Sequence, residues 1–359
     1  MISKITIDKV FQTALVEEVI GDFIQLKKSG SNYKGLSPFT NEKTPSFMVS
    51  PTKQIWKDFS SGKGGNVIAF LMEHEQYSYP QSIRYLADKY NIEIIETELT
   101  DKQKDQNNAK EKLFLICDFA KNYFLNQFNV SHFGKTIART YFDEREFNDE
   151  TLKKFEIGSL GSEKYNLRDH CLSMGYNTDD LEALGLISSK NQMDIYRSRL
   201  IFPIKSISGR TIGFGARILD NNKKSAKYIN SPDSIIYNKS NVLFGLYNSK
   251  NEIVKKDNCF IAEGYTDVMR FHQIGIKNIV SSSGTALTVG QINLIRRLTK
   301  NITMLFDSDK AGVNATERAV ELLLSQGMNI DICILPDSED PDSFAKSKST
   351  DEINNYIEE

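Results

Sequence analysis

Four cysteines lie far apart in this sequence, Cys117, Cys171, Cys259 and Cys333, so neither a C-x-x-C metal pair nor a disulfide framework can be drawn from them. Reduced, structural cysteines are the expectation, as in a cytoplasmic protein. No apolar run is long enough to span a bilayer. The first ten residues, Met1 to Val10, lack the apolar centre of a signal peptide. No repeat recurs at a solenoid period and no segment is of low complexity. Net charge is scarce too: 45 Lys+Arg face 47 Asp+Glu, and a balance of −2 says nothing about partners. With 359 residues, 40% hydrophobic and 26% charged, the chain reads as a globular protein of two or three domains.

Charge is uneven along the chain. Seven basic residues against Glu42 and Asp58 fill the stretch from Lys27 to Lys63. Nine against Asp220 and Asp233 fill Arg197 to Lys239, and from Asp257 to Asp342 twelve acids outnumber seven bases. Two basic stretches followed by an acidic one suit a polyanion path leading to a metal site. Each basic stretch taken alone reads equally well as solvated surface.

The periodicity predicts a fold class of α+β and α/β domains. Residues 1–98 read as a small mixed domain, with a helix over Ile7–Ile20, short strands up to Gly65, and helices from Asn66 and from Pro80. The polar segment 99–112 reads as an exposed linker or a weakly held helix. A mixed subdomain over 113–256 opens with a helix over Leu113–Phe128, continues with short helices in 136–158, and turns to strands at LIFPI and TIGFGARIL. From Asn258 strand and helix alternate strictly, which predicts a parallel sheet covered by helices over 257–345. Residues 346–359 would begin a further helical region.

Three acidic clusters follow strands of this last domain. Glu263 ends CFIAE and precedes Gly264; Asp307 and Asp309 end ITMLF; Asp340 and Asp342 follow ICILP. In a parallel sheet these positions gather at one edge, where ligands bind. Oxygen donors without His or Cys partners favour Mg²⁺ or Mn²⁺. Bound cations relieve the repulsion of clustered carboxylates and can activate a hydroxyl beside a triphosphate. Any single acid here could instead cap a helix, Asp309 most readily.

IAEGYTDVM, FDSDKAG and DSEDPD resemble the motifs of the TOPRIM domain, shared by DnaG-type primases, topoisomerases and some nucleases. The resemblance implies metal ligation and catalysis by Glu263, Asp307 and Asp309, supported by Asp267, Asp340 and Asp342. RSRLIFPI, GRTIGFGARIL, KYINSPDS and FGLYNSK resemble the subdomain that precedes TOPRIM in the DnaG-type primases. That implies template and nucleotide phosphate contacts at Arg197, Arg199, Arg217, Lys227 and Lys239. Arg145 matches an earlier family arginine, with Glu146 where a glycine usually follows. Tyr196, Phe202, Phe214, Tyr228 and Tyr237 interleave with these bases; they suit base stacking, and suit a strand core better.

NYKGLSPFTNEKTPSFMVSP and GKGGNVIAFLMEHEQYSYPQSIRYLADKYNIEI resemble the zinc-ribbon domain of the same family, yet Ser37, Thr40, Asp58 and Ser61 stand at its ligand positions. Three hydroxyls and a carboxylate cannot replace Cys/His ligation, so zinc is expected to be absent. Contact with single-stranded template would fall to Lys34, Lys43, Lys53, Lys57 and Lys63, with Phe39, Phe47 and Trp56 as stacking partners. The resemblance implies a monomeric bacterial, cytoplasmic DNA primase that makes short RNA primers on single-stranded DNA from ribonucleoside triphosphates. The family also binds a replicative helicase through a domain for which no match is found before Glu359. Two other readings stand beside it. One is another TOPRIM enzyme, a topoisomerase or nuclease; the other is a non-catalytic DNA-binding remnant.

Overall fold

The computed structural model describes residues 2–75, 77–95, 101–219, 225–284, 286–306, 310–335, 341–348, 352, 353 and 356. The chain divides into two units, Met1–Asp105 and Gln106–Glu359.

The first unit opens with two helices, α1 (Lys4–Thr13) and α2 (Val16–Gly21), where the sequence predicts one. The break has a hydrogen-bonding cause. The Leu15 amide donates to Tyr90 Oη (3.3 Å) and the Val16 amide to Gln54 Oε1 (2.9 Å), so groups that a continuous helix would pair internally find partners outside it. Strands β1 (Lys27–Ser29), β2 (Asn32–Gly35), β3 (Phe47–Ser50), β4 (Ile55–Asp58) and β5 (Gly64–Gly65) form an antiparallel sheet in chain order. Helices α3 (Val67–His74) and α4 (Tyr79–Lys89) follow, α3 capped by Asn66 as its position before an apolar run predicts. Val10, Val19, Ile20, Phe47, Trp56, Phe70, Leu71 and Leu86 are the centre of one core. Phe47 and Trp56, expected as stacking partners for bases, are therefore packing residues: their rings stack on each other at 5.3 Å.

Alternation along β4 turns Trp56 and Asp58 to the buried face and Ile55 and Lys57 to solvent. A fully buried carboxylate must be hydrogen-bonded, and Asp58 is. Its Oδ2 accepts from Ser37 Oγ (2.8 Å), from the Ser61 amide (3.2 Å) and from Ser61 Oγ. Its Oδ1 accepts from Ser60 Oγ (3.0 Å) and Ser46 Oγ (3.1 Å). Thr40 Oγ1 meets Ser60 Oγ at 2.6 Å, and Glu42 accepts from the Ser37 amide (2.7 Å) and from Ser46 Oγ (2.7 Å). This polar knot pins the 37–46 loop to the end of β4.

Helix α5 (Asp101–Val130) runs from the end of the first unit into the second and takes in residues 101–112 of the segment read as linker or weak helix. Residues 105–112 are exposed, and burial starts at Leu113. From there Leu113, Ile116, Cys117, Ala120 and Phe124 make an apolar stripe. A π-helical turn (Phe133–Ala138), α6 (Arg139–Asp143) and α7 (Asp149–Lys154) lead to β6 (Gly158–Leu160), α8 (Asn166–Ser173) and α9 (Thr178–Ala183). Next come β7 (Arg199–Lys205), β8 (Thr211–Ile218) and β9 (Tyr228–Asn230), which complete an antiparallel sheet in the order β6-β7-β8-β9. Strand β7 is buried on both faces: Ile201 packs toward the α5 stripe, while Leu200 and Phe202 pack toward the last part of the chain.

That part runs through a 3₁₀ turn (Lys239–Asn241), α10 (Leu246–Lys256), β10 (Cys259–Ala262), α11 (Tyr265–Gln273), β11 (Ile279–Ser281), α12 (Val289–Arg296), β12 (Asn301–Phe306), α13 (Lys310–Ser325), β13 (Asn329–Ile334) and α14 (Pro341–Ser347). The predicted parallel sheet is present, in the order β11-β10-β12-β13 with every pair parallel. All four cysteines are buried. Burial pushes the thiols of Cys117 and Cys171 up to about 12 and that of Cys333 to about 11. Among the described residues no helix is long and apolar enough to cross a membrane.

Trp56 is the one tryptophan of the chain, so its fluorescence reports the first unit alone. Asp58→Ala strands the hydroxyls of the knot and is expected to cost about 3 kcal/mol, lowering the Trp56 unfolding midpoint by roughly 10 °C. Burial alone would raise the Asp58 pKa, but the hydroxyls of Ser61, Ser37, Ser60 and Ser46 outweigh it and hold it below the usual aspartate value. Its stabilisation is therefore complete above about pH 4 and is lost as pH falls through the lowered value. A midpoint unmoved by the substitution at pH 7 would remove the knot from the account of stability.

Candidate active site

Strand β10 pairs with β12 so that Ile261 lies opposite Met304, and both strands leave the sheet at the same edge. Glu263 follows β10 there, and β12 ends at Phe306. Asp307, Asp309 and Asp340 lie outside the described residues. Glu263 lines a cavity of about 460 Å³ together with Tyr228, Tyr265, Ser283, Leu287 and Arg318. Among the described residues no three His, Cys, Asp or Glu side chains converge to hold a metal ion. The described donor, the Glu263 carboxylate with serine hydroxyls on the same cavity wall, is of the hard-oxygen kind that Mg²⁺ or Mn²⁺ takes.

The cavity wall is tied together from three sides. Ser281 Oγ donates to the Glu263 carbonyl (2.8 Å), joining the ends of β11 and β10. Asn230 Nδ2 donates to the Ser283 carbonyl (3.0 Å), and Asn230 Oδ1 accepts from Tyr265 Oη. The Gly264 amide donates to Asp267 Oδ2 (2.8 Å), so Asp267 caps α11 from its third residue. The loop 282–287 and Arg318 were missed by sequence reasoning. The loop was findable, because it follows β11 at the edge where the other strand-end acids were sought.

The expected phosphate contacts divide into groups. Arg145 and Arg217 both pack on one ring: their guanidinium carbons lie 4.0 and 4.8 Å from the centroid of Tyr141. Arg217 Nη1 also donates to Tyr228 Oη (2.8 Å), and Tyr228 is part of the Glu263 cavity. Burial pushes the Tyr141 phenol up to about 12, so the ring stays neutral beside the two cations. Lys239 lies with Ser282 and Ser283 around a small neighbouring cavity, and Lys227 is exposed.

Arg199 differs. It is buried, and its Nη1 donates to the Ala226 carbonyl (3.0 Å), fastening the approach to β9 onto β7. Burial lowers its pKa. Arg197 is half-buried near Asp194, whose carboxyl burial pushes up to about 6 against the amide donors Leu167 and Arg168 and the charge of Arg197. Of the aromatic set, Tyr196, Phe202, Phe214 and Tyr237 are core, while Tyr228 is 37% exposed. Asp342 is not open to the cavity as a free acid: its Oδ1 accepts from Arg270 Nε at 2.6 Å.

Three family models match the chain: the CHC2 zinc finger over residues 2–103, the N-terminal domain of the DNA primase catalytic core over 123–250, and a Toprim-like model over 260–345. The crystal structure of the Aquifex aeolicus primase, its zinc-binding and RNA polymerase domains, is 34% identical. The match covers 98% of this chain and 85% of that one, with a TM-score of 0.64. This chain belongs to the DnaG-type primase family. The DNA primase of Clostridium acetobutylicum is 38% identical over 362 residues, and the chain spans 59% of its length. A DnaG primase catalytic domain bound to single-stranded DNA is 30% identical, covering 70% of this chain and 82% of that one at a TM-score of 0.64. In this DnaG-type chain Ser37, Thr40, Asp58 and Ser61, which the sequence resemblance aligns with the family's zinc ligands, meet in the polar knot of the first unit.

Arg199→Met is expected to lower the calorimetric melting temperature by several degrees, because β7 and the approach to β9 lose their tie. Lys227→Ala, on an exposed side chain, is expected to leave it within about a degree. The reverse order would place Arg199 among the surface contacts.

Proposed function

We propose that the chain synthesises short RNA primers on single-stranded DNA by divalent-metal-assisted nucleotidyl transfer. The observation that carries this reading is the junction at Arg217: it packs with Arg145 on Tyr141 and donates to Tyr228, which lines the cavity of Glu263. A cationic and aromatic approach that ends at a strand-edge carboxylate is what a template, a triphosphate and a growing RNA strand require, since all three are anionic. The single-stranded DNA held by a 30% identical primase catalytic domain supports the same substrate here.

Glu263, Asp307 and Asp309 would hold Mg²⁺ or Mn²⁺, with Asp267 and Asp340 enlarging the acidic field, while Asp342, expected there as well, is neutralised by its pair with Arg270. When bound, the metal supplies Lewis acidity that favours the ionised 3′-hydroxyl and offsets charge on the α-phosphate. Arg145 and Arg217 receive phosphate oxygens through planar donor forks, and Tyr228 offers an exposed face for a base. The 3′-oxygen forms the new bond to the α-phosphorus as the bond to pyrophosphate breaks. Lys227 and Lys239 steer the template, and Arg197 adds to the field, while Arg199 supports the sheet. The domain division is proposed as 1–98, 99–112, 113–256, 257–345 and 346–359. We infer a monomer of the bacterial cytoplasm, and a replicative helicase is a partner of the family.

Zinc is proposed to be absent. Both carboxylate oxygens of Asp58 are already filled by hydroxyl and amide donors, and the other three ligand positions carry hydroxyls. Elemental analysis is expected to find well under one zinc per chain, and a strong chelator should leave the Trp56 melting curve unchanged. One tightly held zinc per chain would overturn this.

Primer synthesis is tested with single-stranded DNA, labelled ribonucleotides and Mg²⁺ or Mn²⁺. Glu263→Gln and Asp309→Asn are each expected to reduce synthesis by at least a hundredfold while single-stranded DNA affinity stays within about threefold. Synthesis at the parent rate in both variants would sink the assignment.

A further inference from the structure

Arg270 is heavily engaged on several sides, and none of the motifs above accounts for it. It sits on α11 with 2% of its surface exposed. Its Nε donates to Asp342 Oδ1 (2.6 Å), at the start of α14. Its Nη2 donates to the carbonyl of Arg145 and its Nη1 reaches the carbonyl of Glu146 (3.4 Å). Its guanidinium carbon lies 4.2 Å from the ring centroid of Phe147. One planar fork therefore holds an acid of the DSEDPD motif with one edge and the turn that carries Arg145 with the other.

That turn needs holding. Glu146 adopts φ +56°, a left-handed conformation that side chains with a Cβ rarely take, at the position where the family usually has glycine. Around it Gln273 Nε2 donates to the Glu146 carbonyl (2.8 Å), the Asn148 amide donates to Gln273 Oε1 (2.9 Å), and Lys346 of α14 pairs with the Glu146 carboxylate (2.9 Å). Arg145 leaves this turn to lie on Tyr141, beside Arg217.

We propose that Arg270 is a positioning residue that locks the Arg145 turn to Asp342, and so fixes the phosphate-binding pair relative to the acidic edge. It touches no substrate. It acts through the carbonyls of residues 145 and 146 and through α14. The functional part of this inference rests on the primer-synthesis reading; the mechanical part does not.

Two arms test it on the full chain. In the first, hydrogen exchange follows the amides of Arg145, Glu146 and Phe147, which bond to the Phe142 and Asp143 carbonyls. Asp342 is not bonded to these amides. Asp342→Ala is therefore expected to speed their exchange about tenfold in the parent chain and to add nothing in an Arg270→Met background. In the second arm, single-stranded DNA affinity is measured for Arg270→Met, Arg145→Ala and Lys227→Ala, alone and combined. Arg270→Met and Arg145→Ala should each weaken binding about tenfold and together no further, whereas Lys227→Ala should multiply with either. Arg270→Lys should behave as Arg270→Met, because one ammonium cannot span the three acceptors. Full rescue by lysine, additive losses with Arg145→Ala, or exchange indifferent to Asp342→Ala would each overturn the proposal. If the parent chain neither binds DNA nor makes primers, the function reading fails, and the exchange arm still decides what Arg270 does.

Discussion

The second unit turns on the packing of one tyrosine. Tyr265 begins α11 two residues after Glu263, and its ring stacks on Phe202 of β7 at 4.8 Å with Phe244 edge-on at the same distance. Only a glycine at position 215 admits it, since a Cβ there would lie 2.1 Å from the phenol oxygen. The buried hydroxyl donates to Asn230 of β9, as a buried phenol must find a partner. The antiparallel sheet that carries Arg217 and Tyr228 is thus keyed to the parallel sheet that presents Glu263. The register between the cationic approach and the acidic edge is set by ring contact rather than by charge. Opposite charges alone would tolerate many spacings; a stacked ring in a close-packed interior tolerates few.

Much of this arrangement was legible in the sequence, for reasons that lie in periodicity. Strict alternation of strand and helix from Asn258 onward forces a parallel sheet, and a parallel sheet forces strand-end residues such as Glu263 to one edge. Asn66 before an apolar run marked a helix start that the structure has. Less legible were contacts whose partners are remote in the chain. Arg270 sits 72 residues from Asp342 and 125 from Arg145, and within α11 it reads as an ordinary helix-surface cation. Arg199 was assigned with the phosphate contacts by its place in the motifs that resemble the primase subdomain. Its burial follows from β7 being covered on both faces, which a short apolar run does not announce. The split of the first helix was hidden for the same reason: the competing acceptors come from Gln54 and Tyr90.

The first unit is organised around a buried polar centre. A metal site draws several loops to one point by strong coordination bonds. A buried carboxylate at an inward position of β4 gathers the 37–46 loop and the turn after β4 with several weaker bonds, each from a small hydroxyl or an amide. The arrangement is polar throughout, and Phe39, half-buried beside it, carries Lys63 4.9 Å above its ring. The aromatic cluster of Phe47, Trp56 and Phe70 lies against the knot and supplies the apolar burial that hydrogen bonds alone cannot.

The burial of the cysteines reaches beyond packing. With every thiol enclosed and its ionisation pushed upward, almost no thiolate exists at neutral pH, and the thiolate is the species that peroxides and alkylating agents attack. The native chain is chemically silent toward such reagents. A thiol introduced at an exposed position such as Lys227 would be the single reactive one on the molecule, and a spin label or fluorophore placed there would report on the proposed nucleic-acid face without removal of any native cysteine.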